Sequence, residues 1–407
     1  MKEPEGVDLR GKSVLVQLIV ASLSLTLHAA VPDYHFLKRV DVGGIGGWDY
    51  LTYDPSGHRV FVSRGNHVMV LDGESGATLG DIPDTLGVHG IALAPELGRG
   101  FTSNGQANSV TIFDLTTLKP ISQAPTGKNP DAIVYDPASK RVFTFNGRSN
   151  SATAIDAVSG QPVGTISLTG NPEFAVADGR GTVFVNIESK HTLTAIDSRN
   201  LSIRADWNMP GCDGPSGLSM DLENRRLFAV CSNKVMAIVD ADSGRLVTTV
   251  PIGSGPDASA FASKTGLAFS SNGGDGTLTV VHEDSPDKFT VVQNVRTENG
   301  ARTMALDQDT GTVYLVTASF GPATILSFVF QLFRFVVRPV EAGLAVLFVL
   351  LSLRSLMRAR SRGWTRKLQS YCGAFLVLGI IFAALSWQYD AVERALSPKD
   401  FHMTMWR

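Results

Sequence analysis

The sequence predicts an all-β fold, a seven-bladed β-propeller closed by an N-terminal strand, with a C-terminal α-helical hairpin of transmembrane character. Three observations predict it. GWDYLTYDPSGHRVFVSRG (47–65) and NPDAIVYDPASKRVFTFNG (129–147) echo each other at an offset of 82 residues, which is two periods of about 41. Phe61, Phe101, Phe143, Phe184, Phe228, Phe269 and Tyr314 mark that shorter period, at steps of 40, 42, 41, 44, 41 and 45. Composition changes along the chain: residues 31–318 are rich in Gly, Thr, Val, Asp and Asn, whereas residues 320–390 are strongly apolar and Arg-rich.

At the N-terminus, SVLVQLIVASLSLTL (13–27) is an uncharged apolar run with Arg10 and Lys12 before it and HAAVP after it. That pattern predicts that residues 1–30 are a signal peptide cut near Ala29 or Ala30, or an N-terminal anchor. The acids Glu3, Glu5 and Asp8 upstream leave open a buried N-terminal helix.

Residues 31–320 carry the repeat. Within a period the runs are short and β-branched, and YDPASKR (135–141) reads as a tight turn because Asp-Pro fixes φ and offers a side-chain acceptor. An Asp closes a β-like run at Asp72, Asp114, Asp156, Asp197 and Asp240, and Ser-Gly follows at 75–76, 159–160 and 243–244. Four short strands per period, repeated seven times, predict a propeller, in which no blade buries its faces alone. A period of 41 is too long for one coil of an open β-solenoid. The seventh repeat, ARTMALDQDTGTVYLVTA (301–318), supplies two clear strands, and YHFLKRVDVGG (34–44) matches the blade-ending stretch QPVGTISLTG (161–170). The N-terminal strand is therefore expected to complete the last blade.

The tail, 321–407, holds ATILSFVFQLFRFVV (323–337), PVEAGLAVLFVLLSL (339–353) and YCGAFLVLGIIFAALSW (371–387). The last two approach bilayer-spanning length once their flanks are counted, predicting a two-span anchor. The loop between them, 354–367, has six cations and no acid, so the positive-inside rule places it in the cytoplasm. The propeller and the final ALSPKDFHMTMWR then lie outside, on the periplasmic side of an inner membrane. Two other readings stay open: an amphipathic helical hairpin packed on the propeller, and a junction after SFGPA beyond which ATILSFVFQ supplies the missing third strand of blade seven.

The phrases DPASKRVFTFN, GPDASAF and DGTLTVV, at this period, resemble the YncE-like propellers of the YVTN repeat group over roughly residues 33–320. The resemblance implies a seven-bladed, usually exported propeller. It implies no particular activity, because members share a fold more reliably than a function.

A polar column precedes each innermost strand: Asp49, His89, Asp131, Glu173, Ser216, Asp257 and Arg302, at steps of 40, 42, 42, 43, 41 and 45. Around one tunnel mouth it forms a ring of four carboxylates, one imidazole, one hydroxyl and one guanidinium. Carboxylates suit a hard divalent cation, and an imidazole adds affinity for a transition metal, so Asp131, Asp257 and His89 are the expected metal ligands. The competing reading makes the column structural, each side chain bonding loop amides or a neighbouring blade. Variation of charge and chemistry within the column favours a site.

No nucleophile elbow, HExxH, phosphate loop or haem CxxCH is present. If the chain is an enzyme, His89, Glu173 and Asp131 are the expected acid–base groups of a propeller lyase or metal-dependent oxidoreductase. Otherwise it is a binding or scaffolding module for a small ligand, an ion or a periplasmic protein, or a structural propeller engaging partners through its loops. A net charge of −2 gives no indication of nucleic acid. Of three cysteines, Cys212 and Cys231 lie in one blade, where the turn DLEN (221–224) brings Cys231 opposite residues 214–215, so a disulfide is expected in an oxidising compartment. Cys372 lies in the apolar tail.

Overall fold

The structure, a computed structural model, describes residues 33–43, 47–318 and 401–407. The expected signal segment and nearly all of the expected helical hairpin lie outside the described residues. Among those described, no helix is long and apolar enough to cross a membrane, and the helical turns are two short 3-10 segments, Pro95–Leu97 and Glu188–Lys190.

Strands β1 (Phe36–Asp41) to β28 (His402–Trp406), numbered in chain order, form seven four-stranded antiparallel sheets. Six are meanders of four consecutive strands, beginning at β2 (Leu51–Asp54), β6 (Val88–Ala94), β10 (Pro130–Asp136), β14 (Pro172–Ala177), β18 (Pro215–Asp221) and β22 (Pro256–Ala262). The seventh has the order β26 (Met304–Leu306), β27 (Val313–Thr317), β28, β1. The N-terminal strand thus closes the ring as expected, without a covalent link.

The third strand of blade seven differs from expectation. It is HMTMW, residues 402–406, read from sequence as part of the anchor's outer end, and not ATILSFVFQ. It pairs with β27 from Val313↔Trp406 to Thr317↔His402, and with β1 from Phe36↔Trp406 to Asp41↔His402. Residues 319–400 are therefore an insertion within blade seven, not an appendage after it. Both roots of the insertion, Ala318 and Phe401, lie at the end of the blade where Arg302 enters the inner strand.

The repeated phrases have physical reasons. The period-marking aromatics are the blade-to-blade core: Phe61, Phe101, Phe143, Phe184, Phe228 and Phe269 are fully buried and Tyr314 nearly so. The run-closing aspartates form side-chain turns: Asp72, Asp156 and Asp240 each accept from the backbone N–H and the hydroxyl of the serine three residues on. The glycine after each serine is required, since Gly76, Gly160 and Gly244 sit at φ of 76°, 73° and 72°. The arginine two residues before the period-marking phenylalanine ties neighbouring blades. Arg59 donates to Leu115 O at 2.8 Å, Arg99 to Ala157 O at 3.0 Å and Arg141 to Ser198 O at 2.7 Å, each acceptor one blade onward.

Candidate functional site

Each residue of the polar column stands at or just before the start of an innermost strand, so all seven surround one end of the central channel. Five of the seven have their backbone carbonyl held by a side chain of an adjacent blade, a device the sequence reading missed. Thr303 donates to Asp49 O, Ser103 to Asp131 O and Ser271 to Arg302 O. Asn186 donates to Ser216 O at 2.8 Å, and Ser216 to Asp257 O at 2.9 Å. These small polar residues sit in inner or second strands and recur at similar places in the period, which was the available signal.

The side chains form a relay around the mouth. His89 Nδ1 lies 2.6 Å from Asp49 Oδ2 and 3.9 Å from Asp131 Oδ1. Arg302 bridges Asp49 at 3.2 Å and Asp257 at 3.1 Å, and Ser216 donates to Asp257 Oδ1 at 2.9 Å. Glu173 stands apart from this relay, accepting from Asn171 at 3.2 Å. Ligand atoms of Asp49, His89 and Asp131, from blades one, two and three, all lie within 4.8 Å of one another. Of the expected metal set, His89 and Asp131 are brought together, but their companion is Asp49. Asp257 is engaged on the other side of Asp49 by Arg302.

The His89 ring is set by its surroundings. Nε2 packs against Gly105, where an added Cβ would stand 2.7 Å away, which leaves Nδ1 facing the carboxylates. Burial pulls the His89 pKa down, but the Asp49 hydrogen bond and the charges of Asp131, Asp49 and Glu173 outweigh it and the pKa is raised. Burial raises Asp131, opposed by His89 and reinforced by Asp49. Burial and the Asp131 charge push Glu173 up to about 8. Asp257 is pushed up to about 6 by burial against the pull of Arg302. Burial is the first cause of each carboxylate's rise, and neighbouring carboxylates add to it.

Two further residues belong to this region. Tyr50 and Phe174, which follow Asp49 and Glu173 in sequence, stack across the channel with centroids 4.5 Å apart and planes 23° apart. They come from blades one and four and meet because the matching positions elsewhere are Gly90, Ala132, Gly217, Ala258 and Thr303. The signal was present in GWDY and NPEF, the two aromatics in a column otherwise of small residues. Farther along the inner strands an apolar cavity of about 360 Å³ is lined by Tyr53, Ile91, Leu93, Ile133, Val134 and Tyr135 among others.

Cys212 and Cys231 form the expected disulfide, with Cα atoms 5.3 Å apart, and Cys231 pairs with Pro215 in the register inferred from the turn.

No family model matches the chain, and no curated protein matches it by sequence. Solved structures match the fold. A chain of Kuenenia stuttgartiensis hydrazine synthase superposes with a TM-score of 0.60 at 15% identity, over 69% of this chain and 96% of that one. The WD40 repeats of RRP9 give 0.61 at 9% identity, over 70% and 92%. A chain of the mitotic checkpoint complex gives 0.61 at 14% identity, over 70% and 90%. At these identities the likeness concerns the propeller alone.

Proposed function

We propose that this chain is an exported, membrane-tethered propeller of the YncE-like kind, a binding module whose ring-bearing mouth holds a metal cation. Asp49, His89 and Asp131 are the ligands. The observation that carries the reading is the convergence of three ligand atoms of mixed oxygen and nitrogen type within 4.8 Å. Carboxylate oxygens and one imidazole suit a hard or borderline ion. The raised pKa values of His89 and Asp131 mean that both give up a proton to bind a cation, so binding should weaken as pH falls.

Export is supported by the disulfide, since such bonds persist in oxidising compartments. The tether is supported by the insertion's roots. Ala318 and Phe401 belong to one blade, so a segment between them crosses a membrane an even number of times. Two apolar runs, 339–353 and 371–387, around the cationic loop 354–367 satisfy that count. The roots lie on the ring-bearing side of blade seven, where the Trp48 and Phe401 rings are 5.6 Å apart, so the mouth faces the bilayer in this reading.

An enzymatic reading, a lyase or metal-dependent oxidoreductase, draws on one observation: Glu173, at about 8, is a proton-bearing group near neutral pH beside the ligand triad.

The test is calorimetric titration of the full chain, purified in mild detergent, with Zn²⁺, Mn²⁺ and Ca²⁺. Binding of at least one ion is expected, weakened by about tenfold or more in Asp131→Asn and His89→Gln, whose side chains supply ligands. Equal affinity in wild type and both variants would rule the mouth out as the site.

A further inference from the structure

At the end of the sheets opposite the mouth, where β18 finishes at Asp221, blade six overhangs its neighbour. Its outer hairpin, β24 (Thr277–Ser285) and β25 (Lys288–Arg296), has strands of nine residues, where the matching strands of blade five have six. The surplus leans onto blade five. Asn224 Nδ2 donates to Glu283 Oε1 at 3.1 Å, Arg226 Nε donates to Pro286 O at 2.6 Å, and Phe289 packs edge-on against Phe228. Asp287 lies 3.5 Å from Arg226 and 3.4 Å from Arg245, but it is exposed, so these pairs hold the overhang weakly. Glu283 is half-buried with Oε2 enclosed, and its neighbour is the buried carboxyl of Asp221. One residue draws the two carboxyls together: Asn224 gives its side-chain N–H to Glu283 and its backbone N–H to Asp221 at 3.1 Å. Asp221 also accepts from Glu223 N at 2.9 Å, so the proton of the pair resides on Glu283, which has fewer donors. Arg226 faces the pair but is bound to Asp240 at 2.7 Å. On the hairpin, His282 and Lys288 pair with Asp284 at 2.7 and 3.2 Å. In the turn after β22, whose Gly266 O receives the Glu283 N–H, Lys264 pairs with Asp309 at 2.7 Å. Each nearby cation has another carboxylate as partner, so a proton is what balances the pair.

We propose that Glu283 and Asp221 hold one proton between them and so latch the overhang onto blade five, a switch that opens as the proton leaves. Burial and the Asp221 charge raise the Glu283 pKa from 4.5 to about 7, against the pull of Asn224 and Arg226. The latch is therefore fully present below pH 4.5 and lost as pH rises through about 7. The departing proton goes to solvent and leaves two carboxylates facing each other across the blade boundary. Phe289 stays on Phe228 as the hinge, so the opening is local to residues 283–288 and the ring remains closed. The latch is independent of the cation site.

Hydrogen exchange of the full chain in mild detergent at pH 5 and pH 8, corrected for intrinsic rates, reads the opening at residues 282–288. Protection there should fall by about tenfold or more between the two conditions, while β11 (Arg141–Asn146) keeps its protection. Glu283→Gln, which keeps the Asn224 bond and offers Asp221 an N–H, should stay protected at both. Equal protection at the two pH values in the wild type overturns the latch, and so does a fall of the same size in Glu283→Gln. A variant that unfolds more easily than the wild type at pH 8 overturns it as well, because the amide stands in for the protonated carboxyl.

Discussion

Ending the chain after Asp400 removes β28, and the consequence can be worked out. Phe401 and Met403 are fully buried, and Met405 and Trp406 are at least nine-tenths buried. At about 1.5–3 kcal/mol for each large apolar side chain, their burial contributes roughly 6–12 kcal/mol. The strand also supplies two hydrogen-bonded ladders, one to β27 and one to β1, and without it β1 has no partner in its sheet. A loss of that size is comparable to the whole stability of a typical domain, about 5–15 kcal/mol. The truncated chain should therefore be open at blade seven. Met403→Ala is the milder probe, expected to cost about 2–5 kcal/mol through lost contact and a cavity. At roughly 2–4 °C per kcal/mol, its Tm should fall by about 4 °C or more. The assay is thermal unfolding of the full chain in detergent, with hydrogen exchange of the β1 amides at 36–41. Slow exchange there in the truncated protein would refute the reasoning, because another segment, such as ATILSFVFQ, would then fill the slot.

Two more outcomes follow from the site and the insertion. Glu173 has its folded pKa raised from 4.5 to about 8, so the native state keeps a proton that the unfolded chain releases, and stability is full below pH 4.5 and lost as pH rises toward 8. The loss is at most about 5 kcal/mol; Glu173→Gln should flatten this decline in metal-free denaturant titrations, and parallel declines in variant and wild type would refute the assignment. Carbonate-washed membranes should retain the full chain, with the propeller cleaved by protease from the extracytoplasmic side; complete release into the soluble fraction rules out the tether.

Most of the propeller was legible because its determinants are local and repeated. A buried aromatic, a turn-closing aspartate and a left-handed glycine recur in register, so each blade corroborates the next. Closure by YHFLKRVDVGG was legible for the same reason, as it carries the pattern of an outer strand. HMTMW was not. It is five residues long, lacks the closing aspartate that five of the other six third strands carry and is separated from the end of β27 by 84 residues. Nearness in sequence favoured ATILSFVFQ, yet blade seven takes its third strand from His402–Trp406. At the mouth, the spacing identified all seven positions but not their pairings. Arg302 engages Asp257 as well as Asp49, and His89 turns to Asp49 and Asp131, which depends on distances that no spacing contains. Tyr50 was overlooked because an aromatic beside a channel reads as packing until it is seen to stack on Phe174.

The joint between blades seven and one is also where the mouth is assembled. Thr303 holds the Asp49 carbonyl and Arg302 its carboxylate, both from across that seam. Residues 402–406 finish the blade that carries those two side chains. Six blades can be complete while Asp49 still lacks its support, so the mouth is finished only when β28 docks between β27 and β1. By linkage, an ion that binds only the finished mouth holds the seam shut. Occupancy of the mouth and integrity of the ring are then one equilibrium.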